Sequence, residues 1–366
     1  MICATPLLPP RWSTAYGSDP GNAVLMTCLH SGQHEGWSEA SPLPGPTYCP
    51  EYGEDTYHVA SRFLAPMVLG GEFETAQSLL AAMSAVKGNP FAKAGIEMAW
   101  WTLQADILGL PLRKLLCSKS TTTVVDEGAG FGIADSLDDL IAEVGAALDS
   151  GAKRVKLKAM HGWDVNMVQA VCSTFPNGIF HIDCNSSYTI EEADVFRKLD
   201  KYRLAMIEQP LSPVDIIDHA KLQQMIDTPI CLDESITGPL IARQALEIGA
   251  CGFINIKPAR VGGLAHSLEI NRMCRQAGVG CWVGGMMESD VGKSICVELA
   301  AVDNMIYPHD ITPEKDNYPA PIGERPLPYA APWRVSTAQN SGTPIKPDLQ
   351  KMLKKSRLHC SMRAAD

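Results

Sequence analysis

Between about residues 120 and 310 the chain alternates short, β-branched apolar runs with longer stretches of helical period. A strand buried on both faces reads as a near-continuous apolar run, so this alternation predicts βα units and a parallel sheet. The runs TTTVV, RVKLK, GIFHID, LAMIE, PICLD, GFINIK, GCWVGG and NMIYPHD predict eight strands. Stretches such as VDIIDHAKLQQMI and PLIARQALEIG predict the helices between them, with Gly151, Gly249 and Gly278 as helix stops. Eight such units in about 190 residues favour a closed barrel over an open doubly wound sheet. No GxGxxG follows an early strand, which weakens a dinucleotide-binding reading.

Residues 1–118 follow another pattern. AVLMTCLHSG and EGWSEA predict a hairpin, and helical periods follow near 53–66, 73–86 and 90–108, giving an α+β capping domain. Residues 119–319 then form the barrel. The proline-rich stretch 313–332 is expected to cross back to the first domain, so that about 320–366 completes it. PDLQKMLKKS predicts a short basic helix, and the last ten residues are expected to be mobile.

Composition narrows the class. With 366 residues, 46% apolar and 20% charged, the chain has enough apolar content for a large core. A net charge of −10 disfavours phosphate backbones and anionic lipid, so neither nucleic acid nor membrane is an expected partner. No uncharged apolar run approaches the roughly 20 residues of a membrane span. The start MICATPLLPPRW lacks a basic region followed by an apolar core, and the expected location is the cytoplasm. The 12 cysteines include no CxxC pair and are read as reduced thiols.

The chemistry lies in five charged residues that close apolar runs: Lys158, Asp183, Glu208, Asp233 and Lys257. Successive spacings are 25, 25, 25 and 24 residues, one βα unit each. In a barrel this places all five on the C-terminal rim, where active sites of that architecture are built. The carboxylates fall on adjacent strands 3, 4 and 5, and the lysines on opposite strands 2 and 6. Three neighbouring carboxylates call for a hard divalent ion, with magnesium as the first choice and manganese as a substitute. A lysine on each side of a metal-held carboxylate suits abstraction of its α-proton, the metal neutralising charge on the enediolate oxygens. Lys156 shares a strand face with Lys158, and their repulsion is expected to lower the pKa of one of them.

The segments VKLKAM (155–160), HIDCNSSYT (181–189), IEQPL (207–211), CLDES (231–235), NIKPARVGG (255–263) and GGMMES (284–289) together resemble the enolase superfamily, muconate-lactonizing subgroup. Within it the chain is similar to o-succinylbenzoate synthases and N-acylamino acid racemases. The resemblance implies a modified TIM barrel, (β/α)7β, with an α+β capping domain. It implies Asp183, Glu208 and Asp233 as metal ligands, Lys158 and Lys257 as acid/base catalysts, Lys156 as a tuner of Lys158, and Asn185 as support for the metal or the substrate carboxylate. RWSTAYG (11–17), including Ser13 and Tyr16, resembles a mobile loop closing over substrate. Gly284, Gly285, Met286, Glu288 and Ser289 would line the pocket.

The expected activity is dehydration of a small carboxylate in menaquinone biosynthesis, a lyase reaction. N-acylamino acid racemisation is the close alternative, an isomerase reaction. Dipeptide epimerase and a non-catalytic barrel rank lower, and a homo-oligomer is possible. Three departures from the family pattern bear on these expectations. The few residues before Arg11 suggest a short cap sheet, Asp290 and Lys293 add charge beside GGMMES, and the proline-rich stretch is unusual. His181 is read as a satisfied interior histidine and Trp100 and Trp101 as core; His30, His34, His58 and His161 read as loop or surface residues.

Overall fold

In the computed structural model, which describes residues 2–8, 12–14, 17–19, 22–311, 321–338 and 344–364, the chain opens on strand β1 (Ile2–Leu8). A small hairpin of β2 (Trp12–Thr14) and β3 (Gly17–Asp19) follows, then the short β4 (Asn22–Ala23). The alternating pattern of residues 25–40 forms the antiparallel pair β5 (Leu25–Ser31) and β6 (His34–Ala40). Because β1 pairs with β5, the cap sheet is not short, contrary to expectation. One sheet face meets helix α4 of the sequence α1 (Gly53–Val59), a π-turn at Ala60–Leu64, α2 (Ala65–Val68), α3 (Ala76–Ala82), α4 (Pro90–Leu108) and α5 (Leu112–Leu116).

Helix α4 lies backbone to backbone on β6. A Cβ on Gly36 would stand 2.2 Å from the Ala99 carbonyl oxygen and from the Leu103 nitrogen, so only glycine fits. Gly36→Ala is expected to destabilise the fold by about 1–3 kcal/mol, the ordinary range for overpacking a rigid contact. The measurement is the urea midpoint, and an unchanged midpoint would contradict the close approach.

The first predicted barrel strand is corrected by the structure. TTTVV yields β7 (Val124–Asp126), which pairs antiparallel with a C-terminal strand outside the barrel. The first barrel strand is instead β8 (Ala129–Phe131), in a glycine-rich stretch without β-branched signal. Gly128 leaves room there for the buried Arg154 side chain, which a Cβ would meet at 2.1 Å. Six βα units follow: α6 (Leu137–Asp149), β9 (Val155–Lys158), α7 (Asp164–Thr174), β10 (Phe180–Asp183), α8 (Ala193–Asp200), β11 (Ile207–Glu208), α9 (Ile216–Gln223), β12 (Ile230–Leu232), α10 (Pro239–Glu247), β13 (Phe253–Ile256), α11 (Leu264–Ala277), β14 (Gly280–Val283) and α12 (Asp290–Ala300). Strands β8 to β14 pair in chain order as one parallel sheet.

The eighth run, NMIYPHD, contributes only two parallel bridges, Cys281 to Met305 and Glu127 to His309, and these join the two edges. Pro308 lacks an amide donor, so a regular ladder cannot form there. Arg154 stitches the seam by donating to the carbonyls of Ala129 (2.9 Å), Pro308 (3.2 Å) and His309 (2.8 Å). The architecture is the expected (β/α)7β barrel with an α+β cap.

At that seam His309 Nδ1 accepts the amide of Val283 at 3.0 Å. Burial and then Arg154 pull its pKa down from 6.5 to about 3. The folded state therefore holds a neutral ring that the unfolded chain protonates below pH 6.5, and stability is lost as pH falls from there toward 3. Its share of the slope is up to about 1.4 kcal/mol per pH unit. Urea unfolding at pH 7 and 5 should show a smaller pH-dependence in His309→Asn than in wild type; equal dependence would exclude His309 as the source.

At the C-terminus, β15 (Tyr329–Ala331) and β16 (Arg334–Ser336) form a hairpin that joins β7. Of the predicted crossing at 313–332, residues 313–320 lie outside the described residues. Helix α13 (Leu349–Lys355) buries Met352 with Met26, Cys28, Trp37 and Ile322, and β17 (Ser356–Ser361) pairs antiparallel with β1. The tail through Ser361 is thus a sheet edge rather than the expected mobile end. Among the described residues no helix is long and apolar enough to cross a membrane.

Candidate active site

Register brings the charged positions together. Asp183 on β10 is level with Lys158 on β9 and Glu208 on β11. Asp233 and Lys257 stand one residue past β12 and β13. All five, with Lys156, are buried at the C-terminal ends of successive strands. The shared rim follows from the repeat length: equal βα units return the chain to equivalent positions.

Asp183 Oδ2 bridges the two strand-mates, Lys156 Nζ at 2.9 Å and Lys158 Nζ at 2.7 Å. Lys156 also reaches Glu208 Oε2 at 3.0 Å and Asp310 Oδ2 at 3.4 Å. Burial opposes its charge, but Asp183, Glu208 and Asp310 outweigh burial and hold the Lys156 pKa above the ordinary lysine range. Lys156 is thus not the lysine of the pair whose pKa is lowered. Burial and Asp183 push Glu208 upward, yet Lys156 and His181 prevail and its pKa falls. His181 fits the interior reading: Nδ1 meets the Tyr307 hydroxyl at 3.0 Å, and burial lowers its pKa to about 4.

Asn185 is placed by a turn, not by a continued strand. Its φ of 43° is left-handed, and its amide donates to Asp183 Oδ1 at 3.0 Å. The Asn185 Oδ1 accepts from Lys158 at 2.6 Å and its Nδ2 donates to Glu234 at 3.0 Å. Its direct neighbour is thus the lysine.

Tertiary structure adds groups that the sequence pattern missed. Tyr48 descends from the cap: its hydroxyl donates to Asp233 Oδ1 at 3.1 Å and accepts from Lys257 at 3.2 Å and Arg260 at 3.1 Å. Arg260 also ion-pairs with Asp233. Lys257 lies 2.9 Å from Asp233 Oδ2. Burial disfavours the Lys257 charge, but Tyr48, Glu234, Glu208 and Asp183 raise its pKa above the ordinary lysine range. Asn255 donates to Glu208 Oε1 at 2.7 Å. Asn255 and Arg260, two residues before and three after Lys257 in NIKPAR, were within reach of motif reading; Tyr48 is separated from Asp233 by 185 residues.

The expected pocket segment is engaged in local architecture. A Cβ on Gly284 would collide with Asn255, and one on Gly285 with the Asp310 carbonyl, so both glycines allow strand ends to close together. Glu288 Oε2 accepts the Met286 amide at 2.8 Å. Ser289 caps α12, and its amide donates to Glu39 of the cap at 2.8 Å, which also receives Gly292 at 3.0 Å. This buried carboxylate at a helix N-terminus docks β6 on the barrel. Asp290 packs against Gly323 of the C-terminal segment, where burial and then Glu39 raise its pKa to about 6. Ser13 belongs to β2, opposite Ser18, and Tyr16 lies outside the described residues.

The donor set suits a hard divalent cation. Three buried carboxylates sit on neighbouring strand ends, and Glu208 Oε2 and Asp233 Oδ2 receive no well-directed hydrogen bond although cations lie beside them. These are the oxygens a metal would satisfy.

Comparison with known proteins identifies the family. Residues 139–349 match the family model described as enolase C-terminal domain-like, and residues 13–117 match the mandelate racemase / muconate lactonizing enzyme N-terminal domain. The o-succinylbenzoate synthase of Bacillus subtilis is 39% identical, covering 79% of this chain and 77% of its own. The N-succinylamino acid racemase of Thermus thermophilus is 37% identical, covering 82% and 81%. A solved enolase-superfamily structure from Listeria innocua superposes with a TM-score of 0.93 at 30% identity, covering 98% of this chain and 96% of its own. Two domain models that together span cap and barrel match: the chain belongs to the enolase superfamily, in its mandelate racemase / muconate lactonizing enzyme branch.

Proposed function

We propose that this protein is a magnesium-dependent lyase of the o-succinylbenzoate synthase type, acting on a small carboxylate in menaquinone biosynthesis in the cytoplasm. The observation that carries the reading is the pairing of Lys158 and Lys257 on opposite barrel strands across three carboxylates. Asp183, Glu208 and Asp233 would hold Mg2+, with Mn2+ as a substitute, and the bound ion supplies charge neutralisation for the substrate carboxylate. Lys158 in its neutral form takes the α-proton. The ammonium so formed donates hydrogen bonds to Asp183 and Asn185, and it returns the proton to the departing hydroxyl on the same face, releasing water. Lys257, held as an ammonium, stabilises the negative charge that develops opposite. Tyr48 and the cap cover this side of the site and exclude water.

The second reading is N-succinylamino acid racemase. It is favoured by the same opposed lysines, one for each face of an α-carbon, and by the racemase among the relatives. A turnover screen in Mg2+ against the menaquinone precursor and a panel of N-succinyl amino acids tests both. Turnover of the precursor well above every racemisation rate is expected. Racemisation as the only reaction would replace the first reading with the second, and no activity on either class would remove both.

A further inference from the structure

On the cap, far along β5 and β6 from the Glu39 end, three side chains of different chemistry converge. Cys28 and His30 are two apart on β5 and share a face, and β6 places Glu35 directly opposite His30. One ligand atom of each, a sulfur, a ring nitrogen and a carboxylate oxygen, lies within 4.8 Å of the other two. Cys28 Sγ and His30 Nε2 are 3.2 Å apart. Zinc–sulfur and zinc–nitrogen arms of ordinary length at a tetrahedral angle put those atoms about 3.5 Å apart, so only a small rotamer change separates the pair from a coordinating geometry.

We propose that Cys28, His30 and Glu35 form a binding site for a zinc-class divalent ion, distinct from the barrel rim. The donors decide the class: thiolate and imidazole select a borderline-soft metal, whereas the all-oxygen rim selects a hard one. Charge balances as well, since a thiolate and a carboxylate neutralise a dication and a neutral imidazole adds none. The thiol must release its proton on binding. Burial pushes free Cys28 up to about 12, and a dication at 2–3 Å reverses that preference.

Access and support are both present. Cys28 is buried in an apolar wall with Trp37 and Met352, while His30 is exposed and opens a path for the ion. Three protein ligands leave one position for water. Glu35 is shared with a competitor, because Lys346 Nζ lies 3.0 Å from its Oε1. The ion would rivet the β5–β6 hairpin at the end opposite the Glu39–Ser289 dock and stabilise the cap without entering the chemistry.

The test uses the full chain in excess Mg2+, which occupies oxygen sites, titrated with Co2+ as a spectroscopic substitute for zinc. A thiolate-to-cobalt charge-transfer band should rise to one equivalent per chain and be displaced by Zn2+. Cys28→Ser should remove the band. His30→Ala, at an exposed position compatible with folding, and Glu35→Gln should each weaken Co2+ binding at least tenfold, and Lys346→Met should tighten it. Zn2+ should raise the Tm of wild type and not of His30→Ala. The proposal is overturned if wild type shows no band, if the band survives Cys28→Ser, or if His30→Ala and Glu35→Gln bind as wild type does.

Discussion

Lys158→Ala is expected to abolish dehydration of the menaquinone precursor, a loss of about 10²–10⁴-fold or more, the usual scale for removing a general base. Lys257→Arg is expected to keep a measurable remnant. The asymmetry follows from the proposed roles: Lys158 would both take and return the proton, whereas Lys257 would contribute a charge that a guanidinium also carries. Arginine is bulkier and forked, so the remnant is small. Deuterium exchange into each enantiomer of an N-succinyl amino acid supplies the second readout. Each variant should exchange only the enantiomer whose α-proton faces the surviving lysine. Normal dehydration by Lys158→Ala would refute the assignment, and exchange of both enantiomers by both variants would remove the two lysines as bases.

Metal removal has the next largest effect. Chelation with EDTA is expected to stop turnover and lower the Tm, because an ion bound by the folded state alone adds stability in proportion to RT ln(1 + [L]/Kd). Adding back Mg2+ alone should restore turnover, which separates the rim from any softer site on the cap. Asp183→Asn should be harsher than loss of one ligand, since Asp183 Oδ2 also neutralises Lys156 and Lys158 at 2.9 and 2.7 Å. The expected outcome is loss of detectable activity that excess Mg2+ does not rescue. Full activity in excess EDTA would contradict the metal assignment.

The regular spacing of five charged strand ends was visible in the chain because it is a local property repeated: each βα unit has similar length, so its rim residue recurs. Helix stops and the β5–β6 hairpin were equally local, set by glycine conformation and by alternation. The seam of the barrel was hidden for the opposite reason. Ala129–Phe131 has no β-branched residue and pairs with β9 where Arg154 and the 305–310 segment close around it, while Val124–Asp126 has the stronger strand signal and is captured by Arg334–Ser336.

The charge states and cap contributions were decided by tertiary structure alone. Lys156 and Lys158 read as a repelling pair in sequence, and only the fold brings the carboxylates of Asp183, Glu208 and Asp310 to Lys156 and raises its pKa. Tyr48 and Glu39 belong to a different domain and reach Asp233 and Ser289 only once the cap is docked. Periodicity encodes which face of an element is buried; it carries no information about which distant polar group will meet it there, because that pairing is made by packing across long loops of chain.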